Sequence, residues 1–381
     1  MMIQVSKSAI EGAAILTSKV INSKNPLPIL CDILCEVADN KLIMTGSDGE
    51  CSIGTTIELD AMAGEGRFCV DAGRLLAALR QIPEQPISIT CTTESDYMFT
   101  IEHQDGQAHF PAEKSEEYPK LAEEKWHDEG FEISESGRIG EAVKRCLWAV
   151  CTDDMRPVMH GVHIHTVAKY DALDIVASDG TALVRNRLTE WNTHGYDGKI
   201  DATIPTKAAK VMADTLTDND EPMWLRFSDD KCEVETGRYT MVTRLIDKPY
   251  PKYNSVIPSD NNIEAVVDRS KMTDAVKRVL PFASDASQML SLHFDDAKLT
   301  VCGDDYDFSM GARDKVPVEF NSSEPLSIGL KGSTLQKALG YIRNLDVRIK
   351  MSDPSRAVLL EPKEQPKTEV TILLMPLLLN E

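Results

Sequence analysis

Six segments of the chain carry apolar residues every three or four positions, the spacing that places them on one face of an α-helix. In the first segment, Ile10, Ala13, Ala14, Thr17 and Ile21 share such a face. The pattern predicts helices over residues 6–22, 71–82, 138–150, 206–216, 269–280 and 331–343. Asp71 and Ser333 stand at the start of two of these segments, so we predict that they are N-caps.

Between the helical segments, short runs alternate apolar and polar residues, as half-buried β-strands do. Residues 33–37 and 42–45 form such a pair, joined at Asp39 and Asn40. Further strands are predicted at residues 224–227, 239–246 and 347–351. Each third of the chain therefore has the order helix, strands, helix, strands. That order predicts an α+β unit in which two helices cover one face of an antiparallel sheet.

Short motifs recur at a spacing of about one third of the 381 residues. Ala-Val-Lys-Arg occurs at 142–145 and 275–278, and Tyr-Pro-Lys occurs at 118–120 and 250–252. Three related strands end in Asp48, Asp179 and Asp304. We predict three tandem copies of one unit, over residues 1–125, 126–256 and 257–381, with linkers around residues 123–130 and 258–262.

The distribution of charge changes the picture. The chain has 41 basic and 61 acidic residues, and a formal charge of −20 argues against a surface that binds nucleic acid over most of its area. The six predicted helices, however, hold sixteen basic and five acidic residues, a net charge of +11 against −31 elsewhere. Lys and Arg are good helix formers, so these residues are consistent with solvated helix faces. They are also consistent with a basic surface that attracts a duplex backbone by charge alone.

Cysteine usage and hydropathy indicate the cell compartment. The nine cysteines are scattered, with no Cys-x-x-Cys pair, which is typical of reduced cysteines in a cytosolic protein. The N-terminus has no apolar signal stretch, and the apolar run at 372–379 is short and interrupted by Pro376. We therefore expect a soluble cytoplasmic protein that does not associate with a membrane and needs no cofactor.

Over essentially its full length the chain resembles the bacterial β sliding clamp family, the processivity subunit of the replicative DNA polymerase III. The segments that carry the resemblance are Asn-Pro-Leu-Pro-Ile-Leu at 25–30, residues 42–48, Arg156 with Gly161, Ala-Ser-Asp-Gly at 177–180, Ile-Pro-Thr-Lys at 204–207, residues 245–258 and Met-Pro-Leu at 375–377. The order and spacing of these segments along a three-unit chain make the resemblance specific.

The resemblance implies a head-to-tail homodimer in which two sets of three units form a closed ring, with helices lining the hole. Members of the family encircle duplex DNA and slide on it while they tether the polymerase. They are not enzymes, and an ATP-driven clamp loader opens them. The implied partners are therefore duplex DNA, a second copy of the chain, the catalytic subunit of the replicative polymerase, the clamp loader and other replication and repair proteins.

The family also has a hydrophobic pocket between the second and third units, which takes a short linear peptide from each partner. Carried over position by position, this partner-peptide pocket comprises Met159, Ser178, Gly180, Leu183, Pro251, Val256, Leu373, Met375, Pro376, Leu377 and Leu379. From the residues alone, the apolar C-terminal segment is equally consistent with a buried final strand. The sequence departs from the family pattern at Thr181, Ala182 and Ser255, which bears on the choice of peptide.

Two further sets of residues follow from the helix charges and the resemblance. The residues expected to face DNA are Lys24, Lys144, Arg145, Lys207, Lys210, Lys277, Arg278, Lys331 and Lys337. The residues expected at the joint between subunits are Phe110, Val279 and Leu280.

An enzyme is the alternative hypothesis. His160, His163 and His165 lie near one another in sequence, and Asp304, Asp305 and Asp307 resemble an acidic magnesium cluster. Together they would suit a metal-dependent phosphoesterase that uses Asp304, Asp305 and the His160 group. An ordinary strand and an ordinary turn explain the same residues without a metal.

Overall fold

The computed structural model describes residues 1–92, 97–119, 126, 130–191, 199–217, 221–365 and 367–379. Within these residues, the six predicted helices are all present. They are α1 (Lys7–Ser18), α2 (Ala72–Arg80), α3 (Ser136–Cys146), α4 (Thr206–Leu216), α5 (Arg269–Val279) and α6 (Gly332–Tyr341). Helix α4 has the predicted bounds, α3 begins two residues and ends four residues earlier than predicted, and the other four are shorter at one or both ends. None of the described helices is long and apolar enough to cross a membrane.

The strands follow the predicted alternation with the helices. The first third contains β1 (Met2–Ser6), β2 (Asp32–Ala38), β3 (Lys41–Ser47), β4 (Cys51–Glu58), β5 (Ala61–Ala63), β6 (Gly66–Asp71), β7 (Pro86–Thr92), β8 (Met98–His103) and β9 (Gly106–Lys114). The central third contains β10 (Phe131–Ile133), β11 (Gly161–Val167), β12 (Ala172–Ser178), β13 (Ala182–Thr189), β14 (Asp201–Pro205), β15 (Met223–Phe227), β16 (Lys231–Thr236) and β17 (Thr240–Arg244). The last third contains β18 (Ile263–Asp268), β19 (Met289–Asp295), β20 (Lys298–Asp305), β21 (Met310–Phe320), β22 (Leu326–Lys331), β23 (Asp346–Met351), β24 (Val358–Pro362) and β25 (Thr368–Leu374).

The described residues group into two compact units. The first unit comprises those within Met1–Arg138 and Lys210–Leu245, and the second comprises 139–191, 199–209 and 246–379. The first unit holds a sheet in the order β10-β15-β16-β17-β4-β3-β2-β6-β9-β8-β7-β1-β5. The second holds a sheet in the order β14-β11-β12-β13-β25-β24-β23-β18-β21-β20-β19-β22. The bounds 1–125, 126–256 and 257–381 stay a prediction, and most of the predicted linker at 123–130 lies outside the described residues.

Each sheet runs across the end of one repeat into the next. In the first unit, β4 of the first repeat pairs with β17 of the central repeat, with Cys51 opposite Thr243. In the second unit, β13 of the central repeat pairs in the same antiparallel sense with β25 of the last repeat, with Ala182 opposite Leu374. We call these two pairings the repeat joints. Because they use equivalent strands, the chain joins its repeats twice in the same way.

The hydrophobic faces predicted for the helices are buried. In α1, Ile10, Ala13, Ala14 and Thr17 are buried, and this face packs on the sheet of the first unit. The Asp71 carboxylate accepts a hydrogen bond from the Arg74 backbone N–H at 2.7 Å, which confirms that residue as the N-cap of α2.

The predicted cap at Ser333 is wrong. Helix α6 begins one residue earlier, at Gly332, with Lys331 at the N-cap position. The Ser333 hydroxyl instead lies 2.6 Å from the side-chain oxygen of Gln288, to which it donates. A long-range partner has therefore replaced the local capping bond.

One turn has the same hydrogen bonds in all three repeats, and these bonds show which aspartates are equivalent. The carboxylates of Asp48, Asp179 and Asp305 each accept hydrogen bonds from the backbone N–H groups two and three residues ahead. The third counterpart is therefore Asp305, and the match to Asp304 was displaced by one position. Such an Asx turn explains why each repeat has an aspartate at this point.

Candidate functional site

The predicted partner-peptide pocket lies in the second of the two compact units, along the joint between β13 of the central repeat and β25 of the last repeat. Leu183 and Leu373 are directly opposite each other across this joint. They belong to one buried apolar cluster, whose members are Val176, Leu183, Tyr253, Leu359 and Leu373. Leu183 and Leu373 are only 2 % and 3 % exposed, so they form the floor of a site and not its open surface.

The C-terminal segment beyond β25 is held to the same unit by backbone hydrogen bonds. The Met375 N–H donates to the Thr181 carbonyl at 2.9 Å, and the Leu377 N–H donates to the Gly329 carbonyl at 2.8 Å. A Cβ atom at Gly329 would lie 2.5 Å from the Leu377 carbonyl oxygen, so only glycine allows this approach. The final strand is therefore buried, as one interpretation expected, while the segment after it stays at the surface.

Three side chains of the predicted pocket are exposed at the surface. Val256 is 57 % exposed and Met375 is 46 % exposed, and Pro251 is also exposed. Pro376, Leu377 and Leu379 are half-buried, and Met159 is buried. Apolar side chains at the surface over an apolar floor are the arrangement that binds a short hydrophobic peptide.

Ser178 and Gly180, two residues of the predicted pocket, lie at the turn between β12 and β13. The Ser178 hydroxyl donates to the Ala182 carbonyl at 2.8 Å and accepts from the Gly180 N–H at 3.1 Å, so it belongs to the repeated turn. Gly180 has φ of +91°, which favours glycine. A Cβ there would also meet Nη1 of Arg156, so this flexible side chain would have to move.

A buried polar network lies beside this floor, and the sequence analysis missed it. The Arg187 guanidinium makes two bonds of 2.8 Å to the Asp174 carboxylate, which has no exposed surface. The Tyr253 hydroxyl donates to the same carboxylate at 2.8 Å. Burial, and then the Asp174 charge, raise the pKa of Tyr253 far above its usual range. The available signal was Asp174 inside the largely apolar strand β12, with Arg185 and Arg187 on the neighbouring strand β13.

The exposed cations are fewer than the charge count suggested. Among the residues expected to face DNA, Lys24, Lys144, Lys210, Lys277, Lys331 and Lys337 are exposed, and Lys207 is half-buried. The Arg145 guanidinium is largely buried, with bonds to the Asn186 side chain and the Tyr341 carbonyl, and burial lowers its pKa. Arg278 is exposed but paired with Asp314. These two arginines therefore do more for the fold than for a free positive surface.

The three residues expected at the joint between subunits also differ in how far they are exposed. Phe110 is half-buried on β9, with its ring centroid 5.2 Å from that of Phe99. Leu280 is half-buried just after α5. Val279 is 1 % exposed and packs inside its own unit, so its predicted place in a surface contact is wrong for this chain. It is the last apolar residue of the helix face, and the periodicity could not separate it from Leu280.

The side chains of the enzyme hypothesis do not converge. His163 is buried between Thr203, at 3.1 Å, and the ring of Tyr250, and burial lowers its pKa to about 4. His160 instead bonds to the Asp153 carbonyl. Asp305 is used by its turn, and the described part of the chain contains no group of three or more metal-ligating side chains. The phosphoesterase alternative has no support.

Three copies of a helix-and-sheet unit, joined edge to edge and carrying lysines on their helices, define the architecture of DNA clamps. Family models of the DNA polymerase III beta subunit match the chain in order: the N-terminal domain at residues 1–122, the central domain at 135–252 and the C-terminal domain at 254–377. The chain belongs to the DNA polymerase III beta subunit family. Its function is that of a DNA sliding clamp in replication, and it is not an enzyme.

Individual relatives support the same family assignment, with matches that cover nearly their full lengths. The Beta sliding clamp of Haemophilus influenzae is 24 % identical over 366 residues, covering 94 % of this chain and 95 % of the relative. That of Synechococcus elongatus is 24 % identical, with 96 % of each chain covered. Among solved structures, the sliding clamp of Pseudomonas aeruginosa bound to griselimycin aligns with a TM-score of 0.91 at 22 % identity, covering 100 % of both chains. The Thermotoga maritima beta subunit aligns with a TM-score of 0.89 at 20 % identity, again over 100 % of both.

Proposed function

We propose that two copies of the chain form a head-to-tail ring that encircles duplex DNA in the cytoplasm and tethers the replicative polymerase. A clamp loader opens the ring, and partner peptides dock in the pocket at the β13–β25 joint. The three matched segments of the family models support domains over residues 1–125, 126–256 and 257–381.

The observation that carries this proposal is a pair of strands with an unused edge. In the first unit, β9 pairs with β8 through residues 106–111 and with β6 only through 112–114. In the second unit, β21 pairs with β20 through residues 310–317 and with β18 only through 318–320. Among the described strands, none pairs with the second edge of residues 106–111 or 310–317. Open edges of this kind favour the addition of another strand.

The two open edges are equivalent to the strands that make the repeat joints. Strand β21 follows the Asp305 turn as β4 follows Asp48 and β13 follows Asp179. Strand β9 ends its repeat as β17 and β25 end theirs. Pairing β21 of one copy with β9 of the next therefore adds a third joint of the same kind, and two copies joined twice in this way close a ring.

Counting along the ladders gives the register of this third joint. Buried Ile89, Leu225 and Ile349 occupy the same place in their repeats, since each lies opposite an equivalent residue of the repeat's first strand. Two strands across the sheet from them lie Ala108, Met241 and Ile372, and two residues further along these strands Phe110 corresponds to Thr243 and Leu374. Their joint partners, Cys51 and Ala182, correspond to Met310, so Phe110 of one copy is expected opposite Met310 of the other.

The lysines fit a clamp that slides. Exposed lysines attract phosphate without reading the bases, and such contacts weaken steeply with salt. A closed ring supplies the long residence on DNA that these weak contacts do not. The net charge of −20 keeps other faces of the protein from competing for the duplex.

The first test is the mass in solution, which is expected to be twice 42.2 kDa. The second loads the protein with its clamp loader onto a nicked circular plasmid, and then cuts the plasmid once. Protein that encircles DNA stays on the circle and leaves after the cut. A monomeric mass at micromolar concentration, or equal retention on circular and cut DNA, would overturn the proposal.

A further inference from the structure

The hairpin formed by β20 and β21 has a longer tip than its counterparts in the other repeats. Two residues, 49–50 and 180–181, connect the closing positions in the first and central repeats. In the last repeat four residues, 306–309, lie between Asp305 and Met310. This tip leads into β21, the strand that pairs with β9 of the second copy in the proposed ring.

The longer tip displays large apolar side chains in a fixed conformation. Tyr306 is 84 % exposed, Phe308 is 73 % exposed and Met310 is 43 % exposed. The Asp305 carboxylate holds the tip by accepting from the Phe308 N–H at 3.2 Å. Exposed aromatic residues that the backbone holds outward are typical of an interface anchor.

At each repeat joint inside the chain, the shorter tip makes one backbone hydrogen bond to the strand across the joint. The Glu50 carbonyl accepts from the Arg244 N–H at 2.9 Å, and the Thr181 carbonyl accepts from the Met375 N–H at 2.9 Å. The residue equivalent to Arg244 and Met375 at the joint between subunits is Pro111. Proline has no backbone N–H, so the joint between subunits lacks the backbone hydrogen bond that both joints within the chain have at this position.

The surface around Pro111 suits an aromatic tip in place of that bond. Pro111 lines a cleft of about 640 Å³ in the first unit together with Leu27, Pro28 and Ile29, which give it an apolar wall. Leu27 is 54 % exposed. The lining of the cleft also includes the acidic side chains of Asp32 and Glu113, which can accept a hydrogen bond from a phenol.

We propose that Tyr306 and Phe308 of one copy pack into this cleft of the second copy, against Pro111 and Leu27. This inference rests on the proposed head-to-tail dimer and names a contact that neither joint within the chain has. Phe308 covers the apolar wall, and the Tyr306 hydroxyl faces the carboxylates of Asp32 and Glu113. The tip thereby replaces the missing backbone bond at both joints between subunits, which are the joints at which the ring can open for loading.

The dimer dissociation constant measures this contact directly. Sedimentation velocity over a dilution series compares wild type with Tyr306→Ser and Phe308→Ser. Leu345→Ser is the matched control, because Leu345 is 83 % exposed in the same unit but lies away from the tip. We expect each tip variant to dissociate at about tenfold higher concentration, and the control to match wild type. Tip variants as tight as wild type would overturn the inference and leave the dimer standing, whereas a monomeric wild type would overturn the proposed function itself.

A cross-link places the tip on the cleft. Cys31 lines the cleft and is half-exposed, whereas the other eight cysteines are buried. In Phe308→Cys, a short bis-maleimide is expected to join the new thiol to Cys31 of the partner subunit and give a covalent dimer. The Cys31→Ser version of that variant, and Leu345→Cys, are expected to stay uncross-linked. A covalent dimer from Leu345→Cys, or none from Phe308→Cys, contradicts the placement.

Discussion

Tyr253 donates a 2.8 Å hydrogen bond to the Asp174 carboxylate, and it also packs in the apolar floor of the partner-peptide pocket. Its hydroxyl lies 3.0 Å from His165 Nδ1 as well. Because the single hydroxyl proton goes to Asp174, the His165 nitrogen is the donor in the second contact. One tyrosine therefore links the apolar floor of the predicted pocket to a buried ion pair.

Removing this hydroxyl is expected to destabilise the protein more than an ordinary Tyr→Phe change does. Tyr253→Phe leaves a buried carboxylate with one donor fewer, and hydrogen bonds to charged groups contribute about 1.5–3 kcal/mol. The control is Tyr239→Phe, whose hydroxyl pairs with the neutral Thr215 at 2.6 Å, where about 0.5–1.5 kcal/mol is expected. Chemical denaturation of both variants measures the difference, and equal losses would contradict the role given to Asp174.

Asp32 is expected to destabilise the folded chain at neutral pH. Burial, then the charges of Asp71 and Glu113, raise the pKa of Asp32 to about 6. The folded protein therefore keeps a proton that the unfolded chain loses near pH 4, so this residue's contribution to stability falls as pH rises from 4 to 6.

Asp32→Asn removes this penalty. We expect a gain of about 2 kcal/mol in unfolding free energy at pH 7.5 and no gain at pH 4. Asp105→Asn, at an exposed position of the same unit, is expected to change neither value. A gain that is the same at both pH values would show that Asp32 acts through packing and not through its charge.

His163 contributes a pH dependence of the opposite sign. Burial holds its pKa at about 4, with the Asp201 carboxylate 3.7 Å from its Nε2 as the largest opposing influence and His165 as a further neighbour. The unfolded chain binds this proton near pH 6.5, so stability is lost as pH falls from 6.5 to 4, by about 3 kcal/mol at most. We expect His163→Phe to reduce that loss in acid denaturation, and a wild-type-like pH profile in this variant would refute the assignment.

Local patterns predicted the fold well where one face of an element meets the core. The face of α1 that ends at Thr17 is buried as its spacing indicated. The predicted turn at Asp39 and Asn40 has φ of 50° and 59° at these residues, values that Asn and Asp tolerate better than most residues. The cap at Ser333 could not be predicted, because Gln288 is distant in sequence and competes for its hydroxyl.

The candidate sites were harder to predict, because helical spacing shows which face is polar but not which cations are already paired. Arg145 and Lys144 are neighbours in a basic motif, yet Asn186 and Tyr341 bind the arginine and leave the lysine exposed. Such partners come from distant strands and helices. Their positions depend on tertiary packing, which a single sequence does not reveal.

Lys144 and Lys277 are expected to carry part of the attraction to duplex DNA. Both are exposed near the ends of α3 and α5. Reversing both charges is expected to reduce retention on nicked circular DNA at moderate salt and to leave the dimer mass unchanged, since each lost phosphate contact lowers the slope of log Kobs against log salt by about 0.9. Lys298→Glu, an exposed position on β20, is the control for net charge. Equal losses in the control would mean that overall charge, and not the helix lysines, controls retention.

The partner-peptide pocket is expected to depend on its exposed side chains and not on the stability of its floor. Val256 and Met375 are 57 % and 46 % exposed, so Val256→Asp and Met375→Asp leave the buried cluster intact. A charge there opposes burial of an apolar peptide, because its desolvation is costly. We expect either variant to weaken binding of a short fluorescent peptide from the replicative polymerase by about tenfold, with an unchanged unfolding transition. Leu345→Asp, equally charged at an exposed position outside the predicted pocket, is expected to bind as wild type does. If both pocket variants bind the peptide normally, the site lies elsewhere on the chain.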